Sequence, residues 1–138
     1  MEALGRTINV APIVDGAAIS LKSAEAVTFV CTGADTYTIT VADSFAGSYA
    51  TPGAILDHVY QNTSTNGTAA WTRVAVSPAS NAVVQAGAYT TVIHVPATSL
   101  PDGKTHVKCT STAAGLVTAI LHDLHVQRTP ANLPIVGA

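Results

Sequence analysis

Residues 36–41 read Thr-Tyr-Thr-Ile-Thr-Val, so threonine alternates strictly with a large apolar residue. Successive side chains of a β-strand point to opposite faces of a sheet. Tyr37, Ile39 and Val41 therefore share one face, and the three threonines share the other. This period of two predicts a strand with one buried face and one hydrated face, and it is the strongest structural signal in the chain.

The composition agrees with strands that have one wet face. Only 10% of the residues are charged, against about 25% in an average globular chain. Neutral groups must therefore supply the polar surface, and the chain has 19 threonines and 9 serines. Threonine is β-branched and favours extended backbone while its hydroxyl faces water. With a net charge of −2 and a mean hydropathy of +0.36, we expect the protein to associate.

Other segments show the same strand signals. Val27, Phe29 and Cys31 share a face in 27–32, and the glycine-containing link 33–35 predicts a hairpin with 36–41. Segment 55–61 fits a strand or a helical stripe. The strand is favoured because the segment is short and leads through Asn66-Gly67, a hairpin turn signal, to a returning strand at 70–76. Further predicted strands are 82–85, 89–95, 105–111 and 116–127. In 89–95, Tyr89, Ile93 and Val95 are predicted to face inward. In 105–111, Val107 and Cys109 are predicted to face inward, and His106, Lys108 and Thr110 outward.

About seven to nine short strands separated by turn signals predict an all-β fold, a single-domain β-sandwich or barrel. Residues 1–26 are predicted to form an extended N-terminal arm or edge strand, since Pro12 interrupts an apolar run. Residues 27–128 form the β domain. Residues 129–138 form an extended C-terminal arm, because Pro130 and Pro134 exclude a helix and a central strand.

The apolar residues of the arms and of the last strand are candidates for an interface. The first half of 116–127 is apolar on both faces, so it is either covered on both sides or presents one face to another subunit. Apolar, extended arms could add edge strands to neighbouring molecules. The candidate interface residues are Ile8, Val10, Ile13, Val14, Leu121, Leu133, Pro134, Ile135 and Val136.

The sequence gives no pattern typical of a catalytic or metal site. On a strand, His122 and His125 point to opposite faces and do not share a metal ion. Asp57 and His58 diverge in the same way, and no serine lies in a Gly-x-Ser-x-Gly elbow. The chain has eight acidic residues, the last glutamate being Glu25, which disfavours a paired-carboxylate hydrolase. We therefore expect no enzymatic activity, no metal and no cofactor.

Nucleic acids and membranes are not expected partners. The six lysines and arginines are scattered, without the basic run that nucleic-acid binding requires. No segment approaches the roughly 18 uninterrupted apolar residues of a membrane-spanning helix. The first residues carry an acid at Glu2 and no basic region before an apolar run, which does not fit a signal peptide.

Two features leave alternatives open. Cys31 and Cys109, the only cysteines, are either two buried apolar thiols or one disulfide that joins two strands. Trp71 lies in an alternating segment, which favours a core or interface residue over a platform that stacks on sugar rings.

The C-terminal half carries a longer pattern over about residues 55–134. It consists of Gly67-Thr68 before 70–74 (Ala-Trp-Thr-Arg-Val), of 100–103 (Leu-Pro-Asp-Gly) before 106–110, and of the tail 121–134. In this pattern the chain resembles the capsid decoration, cement or minor capsid proteins of tailed bacteriophages. The resemblance implies a virion protein on the capsid surface, assembled in the host cytoplasm, that binds the major capsid protein lattice and self-associates as a trimer or dimer. A phage tail or fibre protein is the alternative, and a carbohydrate-binding module is the second alternative.

Overall fold

Ten β-strands make up almost all the regular structure of the chain in a computed structural model, which describes residues 8–64, 66–77, 80–126, 129–133 and 136–137. The strands are β1 (Asn9–Ala11), β2 (Ile19–Ser20), β3 (Ala24–Thr32), β4 (Asp35–Ala42), β5 (His58–Asn62), β6 (Trp71–Ala75), β7 (Ala82–Gln85), β8 (Thr90–Pro96), β9 (His106–Ser111) and β10 (Leu116–Leu124). Within these described ranges, Ala97–Ser99 and Pro130–Asn132 form 3₁₀ turns. No helix in these described ranges is both long and apolar enough to cross a membrane.

The strands form two antiparallel sheets. The large sheet has the order β1-β10-β3-β8-β5-β6, and the small sheet has the order β2-β9-β4-β7. The predicted all-β fold is confirmed, and the two separate sheets make it a sandwich, not a barrel. The described part of the chain has ten strands, slightly more than predicted, because the count includes β2, a strand of only two residues.

The core lies between the sheets, and the period of two identifies its side chains. Val27, Phe29 and Cys31 of β3 are fully buried, as the alternation predicts. Tyr37 and Ile39 of β4 are fully buried on the facing sheet. Burial of apolar area contributes roughly 25 cal/mol per Å², so these alternating faces supply most of the driving force for folding.

The predicted hairpin of 27–32 with 36–41 is wrong. β3 pairs with β10 and β8, whereas β4 pairs with β9 and β7. The link after Thr32 instead carries the chain from one sheet to the other, with Gly33 at a φ of 102°. The apolar faces of β3 and β4 thus meet across the core, because alternation specifies the face of a strand and leaves its neighbour open.

The hairpin of 55–61 with 70–76 is confirmed in its pairing. Segment 55–61 enters the strand β5 and not a helix, and β5 pairs with β6 from His58↔Ala75 to Asn62↔Trp71. The connection is longer than a two-residue turn and runs over residues 63–70, where Gly67 has a φ of 75°.

His106 is buried, although the sequence predicts that it faces out of the core on β9 together with Lys108 and Thr110. Its exposed fraction is 1%, although its neighbour in alternation, Lys108, is half-buried and Thr110 is exposed. The backbone of Gly137 lies against the imidazole. Burial in the first place, and Lys22 in the second, lower the pKa of His106.

The predicted N-terminal segment is built into both sheets. β1 is the edge strand of the large sheet and β2 is the edge strand of the small sheet, while β3 already begins at Ala24. Residues 1–7 lie outside the described part of the chain.

Val136 and Gly137 at the end of the C-terminal segment lie on the chain's own body. Pro130 begins a 3₁₀ turn of three residues where the sequence predicts extended backbone, and proline is tolerated in the first turn of a helix. Further along, the Ser20 amide donates a hydrogen bond of 2.9 Å to the Val136 carbonyl.

Tyr37 hydrogen-bonds to the backbone where the chain crosses from one sheet to the other. Its hydroxyl donates to the Thr32 carbonyl at 2.7 Å and lies 2.9 Å from the Gly33 carbonyl. Burial in the first place raises the pKa of Tyr37 to about 12. Gly115 packs on the ring so closely that a β-carbon there would come within 2.8 Å of ring carbons. The hydroxyl thus satisfies carbonyls at the point where the chain changes sheet.

We expect Tyr37→Phe to lower the free energy of unfolding by about 1 kcal/mol, because the backbone carbonyls lose their donor while the ring still fills the core. Urea unfolding followed by circular dichroism measures the change. The matched control is Tyr49→Phe, whose hydroxyl makes only longer bonds of 3.2 and 3.3 Å near the surface. An equal loss in both variants would contradict this role.

Asp35 holds the turn between β9 and β10. Its carboxylate accepts hydrogen bonds from the Ala113 amide at 3.0 Å and the Gly115 amide at 2.8 Å. It also accepts from the amide and the hydroxyl of Thr112. The Thr112 hydroxyl in the first place, helped by the amides, holds the pKa of Asp35 far below its ordinary value of 3.8.

We expect the protein to lose stability in acid partly through Asp35. A carboxyl whose pKa is lowered by folding contributes stability above its unfolded value of 3.8, and that contribution disappears as the pH falls below this value. Asp35→Asn should therefore be less stable at pH 7 and show a shallower loss between about pH 5 and pH 2. Urea unfolding across this range measures both, with exposed Asp102→Asn as the control. Parallel pH profiles for Asp35→Asn and the unsubstituted protein would refute the assignment.

Candidate interaction surface

The large sheet has a second face that the sandwich does not cover. We call it the outer face and define it by Thr28, Val30 and Thr32 on β3, Thr90, Val92 and His94 on β8, Leu116, Thr118, Ile120 and His122 on β10, Tyr60 on β5, and Trp71 and Arg73 on β6. The pairing register aligns these residues in rows across the sheet, one row running from Val30 through Val92 and Tyr60 to Arg73. Its side chains are mostly apolar or neutral.

Several apolar side chains of this surface are exposed to solvent. Leu116 is 60% exposed and Trp71 is 52% exposed. The alternating segment predicts that Trp71 is either a core residue or an interface residue. Its exposure excludes the core position. The apolar outward side of β10 is also exposed: β10 lies next to the edge strand of the sheet, and its Leu116 faces solvent. An exposed and almost uncharged sheet face is typical of a surface that contacts another molecule.

The edge strand β1 extends this surface. Val10 lies opposite Ile120 of the outer face and is as exposed as Ile8, while Ile13 just beyond the strand is 82% exposed. β1 pairs with β10 on one side only. The edge of a sheet offers backbone groups to which a strand of another molecule can add.

The structure divides the candidate interface residues into three groups. Ile8, Val10 and Ile13 are exposed along the β1 edge. Val14 and Leu121 are buried in the chain's own core and are not available to a partner. Leu133 and Val136 are partly buried, and Pro134 and Ile135 lie outside the described residues.

A polar cluster lies in the middle of the outer face. The Thr28 hydroxyl is 3.1 Å from Nδ1 of His94 and 3.0 Å from Nε2 of His122, and the two imidazoles stack with centroids 5.2 Å apart. Nδ1 of His122 is 3.1 Å from the Asp123 carboxylate. Burial in the first place, and then His122, lower the pKa of His94. The Thr28 hydroxyl and the two imidazoles thus provide hydrogen-bonding partners for one another, and burial favours the neutral form of His94.

The spatial order of the Asp123 carboxylate, the His122 imidazole and the Thr28 hydroxyl is also that of a nucleophilic triad. Thr28 however projects from a continuous sheet and also contacts a second imidazole, that of His94. Neither of the two grooves described below is lined by Thr28 or His122. Of the cluster, only His94 lines one of these grooves, so the Thr28 hydroxyl lies on the outer face beside the groove.

A groove of about 250 Å³ opens beside the outer face, lined by Leu56, His58, Tyr60 and His94 among others. Nδ1 of His58 is 2.6 Å from the Asp57 carboxylate. The hydrogen bond from His58 lowers the pKa of Asp57. Although the sequence predicts that these two side chains diverge, they thus contact each other. The pair lies at the rim of the groove, where Asp57 is exposed.

A larger groove of about 490 Å³ lies at the other sheet, and Val14, Phe45, Lys108 and Val136 contribute to its lining. The Lys108 ammonium sits 3.8 Å from the centroid of the Tyr49 ring, a cation–π contact. Phe45 is exposed, and the sequence did not point to it because it lies in a loop with no periodic pattern. The groove is apolar and lacks a group of convergent polar side chains.

Potential metal ligands are dispersed over the described residues, where no group of three or more histidine, cysteine or acidic side chains could hold an ion. His122 contacts Thr28 on the outer face. The His125 imidazole lies 2.8 Å from the Glu25 carboxylate instead. The two histidines thus contact different groups, and the structure does not bring them together as a ligand pair.

Comparison with known proteins gives no relative: no family model, no curated protein and no solved structure matches the chain. The features that bear on function are therefore the surface itself, its composition and the sequence pattern of residues 55–134.

Proposed function

We propose that this protein is a virion structural protein that binds and stabilises the outer surface of a bacteriophage capsid, as a decoration or cement protein. The observation that supports the proposal is the joined surface of the β1 edge and the outer face, which is exposed, apolar and nearly free of fixed charge. The pattern over residues 55–134 that resembles decoration proteins points to the same role.

The physical chemistry of this surface suits association. Arg73 carries the one fixed charge among the residues of the outer face, and it lies 3.5 Å from Asp57. Covering threonines and valines costs little desolvation compared with covering charges. Burying apolar side chains such as Val10, Ile13 and Leu116 gains roughly 25 cal/mol per Å². A partner that covers this surface is therefore bound by apolar contact, with steering by charge in a minor role.

Binding to an assembled lattice explains how such a domain would stabilise a shell. A protein that binds the assembled form and not the free subunits shifts the equilibrium towards assembly by mass action. The partners in this proposal are the major capsid protein lattice and further copies of the chain, as a trimer or dimer. Clustering copies multiplies weak contacts through avidity. The location is the capsid surface of the virion, with assembly in the host cytoplasm.

Reconstitution tests the proposal. Purified chain is added to shells of the major capsid protein that lack it, and bound protein is measured by co-sedimentation while shell disruption is followed by scanning calorimetry. We expect saturable binding to intact shells, a higher disruption temperature, and much weaker binding to unassembled capsid subunits. Absence of binding to intact shells at saturating concentration would overturn the proposal.

A tail or fibre protein is the alternative structural role and uses the same kind of surface. Immunogold labelling of intact particles separates the two, since label on the head supports decoration and label on the tail supports the alternative.

A carbohydrate-binding module is the second alternative, and the exposure of Trp71 favours it. Tyr60 is also exposed and lies on the neighbouring strand, with its partner Arg73 two residues from Trp71. Exposed aromatic rings on one face can stack on sugars. A glycan array decides: binding that Trp71→Ala abolishes would support this alternative, and no binding would dismiss it.

A further inference from the structure

The two cysteines face each other across the middle of the sandwich. Cys31 lies on β3 in the large sheet, paired with Val117 and Thr91 on either side. Cys109 lies on β9 in the small sheet, paired with Ile39. Both are fully buried, and their sulfur atoms are 3.7 Å apart. The two thiols are therefore in van der Waals contact within the core.

We propose that Cys31 and Cys109 are an oxidation site at which a reversible disulfide cross-links the two sheets. A disulfide bond is about 2.05 Å long. The two sulfur atoms, now 3.7 Å apart, therefore have to move closer by less than the diameter of one atom. Each strand has hydrogen-bonded neighbours on both sides. The bond would tie the interior of one sheet to the interior of the other, independently of the proposed function.

The reaction needs an oxidant, and a small-molecule disulfide of the glutathione type supplies it. The thiolate of one cysteine attacks the small disulfide, forms a mixed disulfide and releases one small thiol. The second cysteine, as a thiolate, attacks the protein sulfur of the mixed disulfide and displaces the second small thiol. In total the protein loses two protons and two electrons, and the electrons reduce the small disulfide to two thiols.

The surroundings of the pair determine when this exchange happens. Both side chains are inaccessible in the folded protein. The hydrogen bond to Cys31 in the first place, and burial in the second, raise the pKa of the Cys109 thiol, which disfavours the reactive thiolate. The folded, reduced protein should therefore oxidise slowly, and the disulfide should form readily while the chain folds.

The expected stabilisation comes from the length of the loop that the bond closes. The two cysteines are 78 positions apart, so the cross-link removes much of the conformational freedom of the unfolded chain. We expect the oxidised protein to have an unfolding equilibrium constant about 100-fold smaller than that of the reduced protein, and a midpoint of thermal unfolding higher by roughly 10 °C.

The test compares two preparations of the unsubstituted full chain. One is refolded from denaturant in a mixture of oxidised and reduced glutathione, and the other is refolded in reductant. We expect the first to be lighter by the mass of two hydrogens, to resist alkylation after denaturation, and to yield one cross-linked peptide containing Cys31 and Cys109. Its thermal midpoint should fall to that of the reduced form when reductant is added.

The double variant Cys31→Ala and Cys109→Ala serves as the control, with a thermal midpoint that does not respond to the glutathione mixture. Native reduced protein exposed to the same mixture should oxidise much more slowly than the refolding chain. Two free thiols after oxidative refolding, cross-links between chains in place of the internal one, or an oxidised form no more stable than the reduced form would each overturn the proposal.

Discussion

Replacing Phe29 with alanine should lower the free energy of unfolding by about 3–5 kcal/mol, the range for removing a buried aromatic ring. Phe29 is fully buried on β3, where it lies between Ala119 of β10 and Ile93 of β8. The two sheets pack against each other here, and backbone held by two neighbouring strands cannot easily collapse into the cavity. Because total stabilities are about 5–15 kcal/mol, this single change removes a large share. Urea unfolding monitored by circular dichroism measures it.

The matched control for Phe29→Ala is a substitution at an exposed strand position. Val84 on β7 is 68% exposed, and Val84→Thr keeps a β-branched side chain there. We expect its effect to stay within about 0.5 kcal/mol. A loss below about 1 kcal/mol for Phe29→Ala would mean that the ring does not fill the centre of the core.

Charging the β1 edge should have the largest effect on association. We expect the double variant Val10→Asp and Ile13→Asp to bind capsid shells roughly 100-fold more weakly, because it removes two apolar anchors and places two charges in a surface that must lose water. Both positions are exposed, so the free energy of unfolding should change little. Co-sedimentation with shells over a concentration series measures the affinity.

A control with the same added charge separates this surface from a general electrostatic effect. Val84 and Ala86 lie at or just after β7, at the edge of the small sheet, and both are exposed. Val84→Asp with Ala86→Asp should leave shell binding unchanged. Equal losses in the two double variants would show that the β1 edge has no special role.

The sequence predicted which face of a strand is buried better than it predicted which strands pair with each other. Alternation predicted the buried sides of β3 and β4 because a side chain's face depends on local geometry alone. The same pattern led to a wrong hairpin, since a short glycine-containing link can either turn within one sheet or cross to another. Tyr37 shows the difference: its burial was predictable, while its hydrogen bond to the Thr32 carbonyl at the crossing depends on the tertiary fold.

Contacts distant in sequence explain the remaining errors. His106 is buried although its alternation predicts that it faces outward, and the backbone of Gly137, distant in sequence, lies against its imidazole. Val14 and Leu121 were grouped with the exposed apolar residues because an apolar side chain alone does not reveal whether a partner or the chain's own core will cover it. Leu121 pairs with Asn9 of β1 and Val27 of β3, which places it inward.

The candidate surface was partly foreseeable. The apolar outward side of 116–121 signalled a face that another molecule would cover, and Leu116 is indeed exposed there. The joining of this face to Trp71 at the opposite edge of the sheet required the strand order, which no local pattern contains.

The number of copies in purified virions tests the central claim that this sandwich works by covering a capsid lattice. Quantitative mass spectrometry of intact particles gives the molar ratio of this chain to the major capsid protein. The proposed role requires a ratio that is a fixed, substantial fraction of the capsid subunits, because each repeating site on the lattice binds a copy. A ratio of only a few copies per particle, or absence of the chain from purified virions, would contradict it.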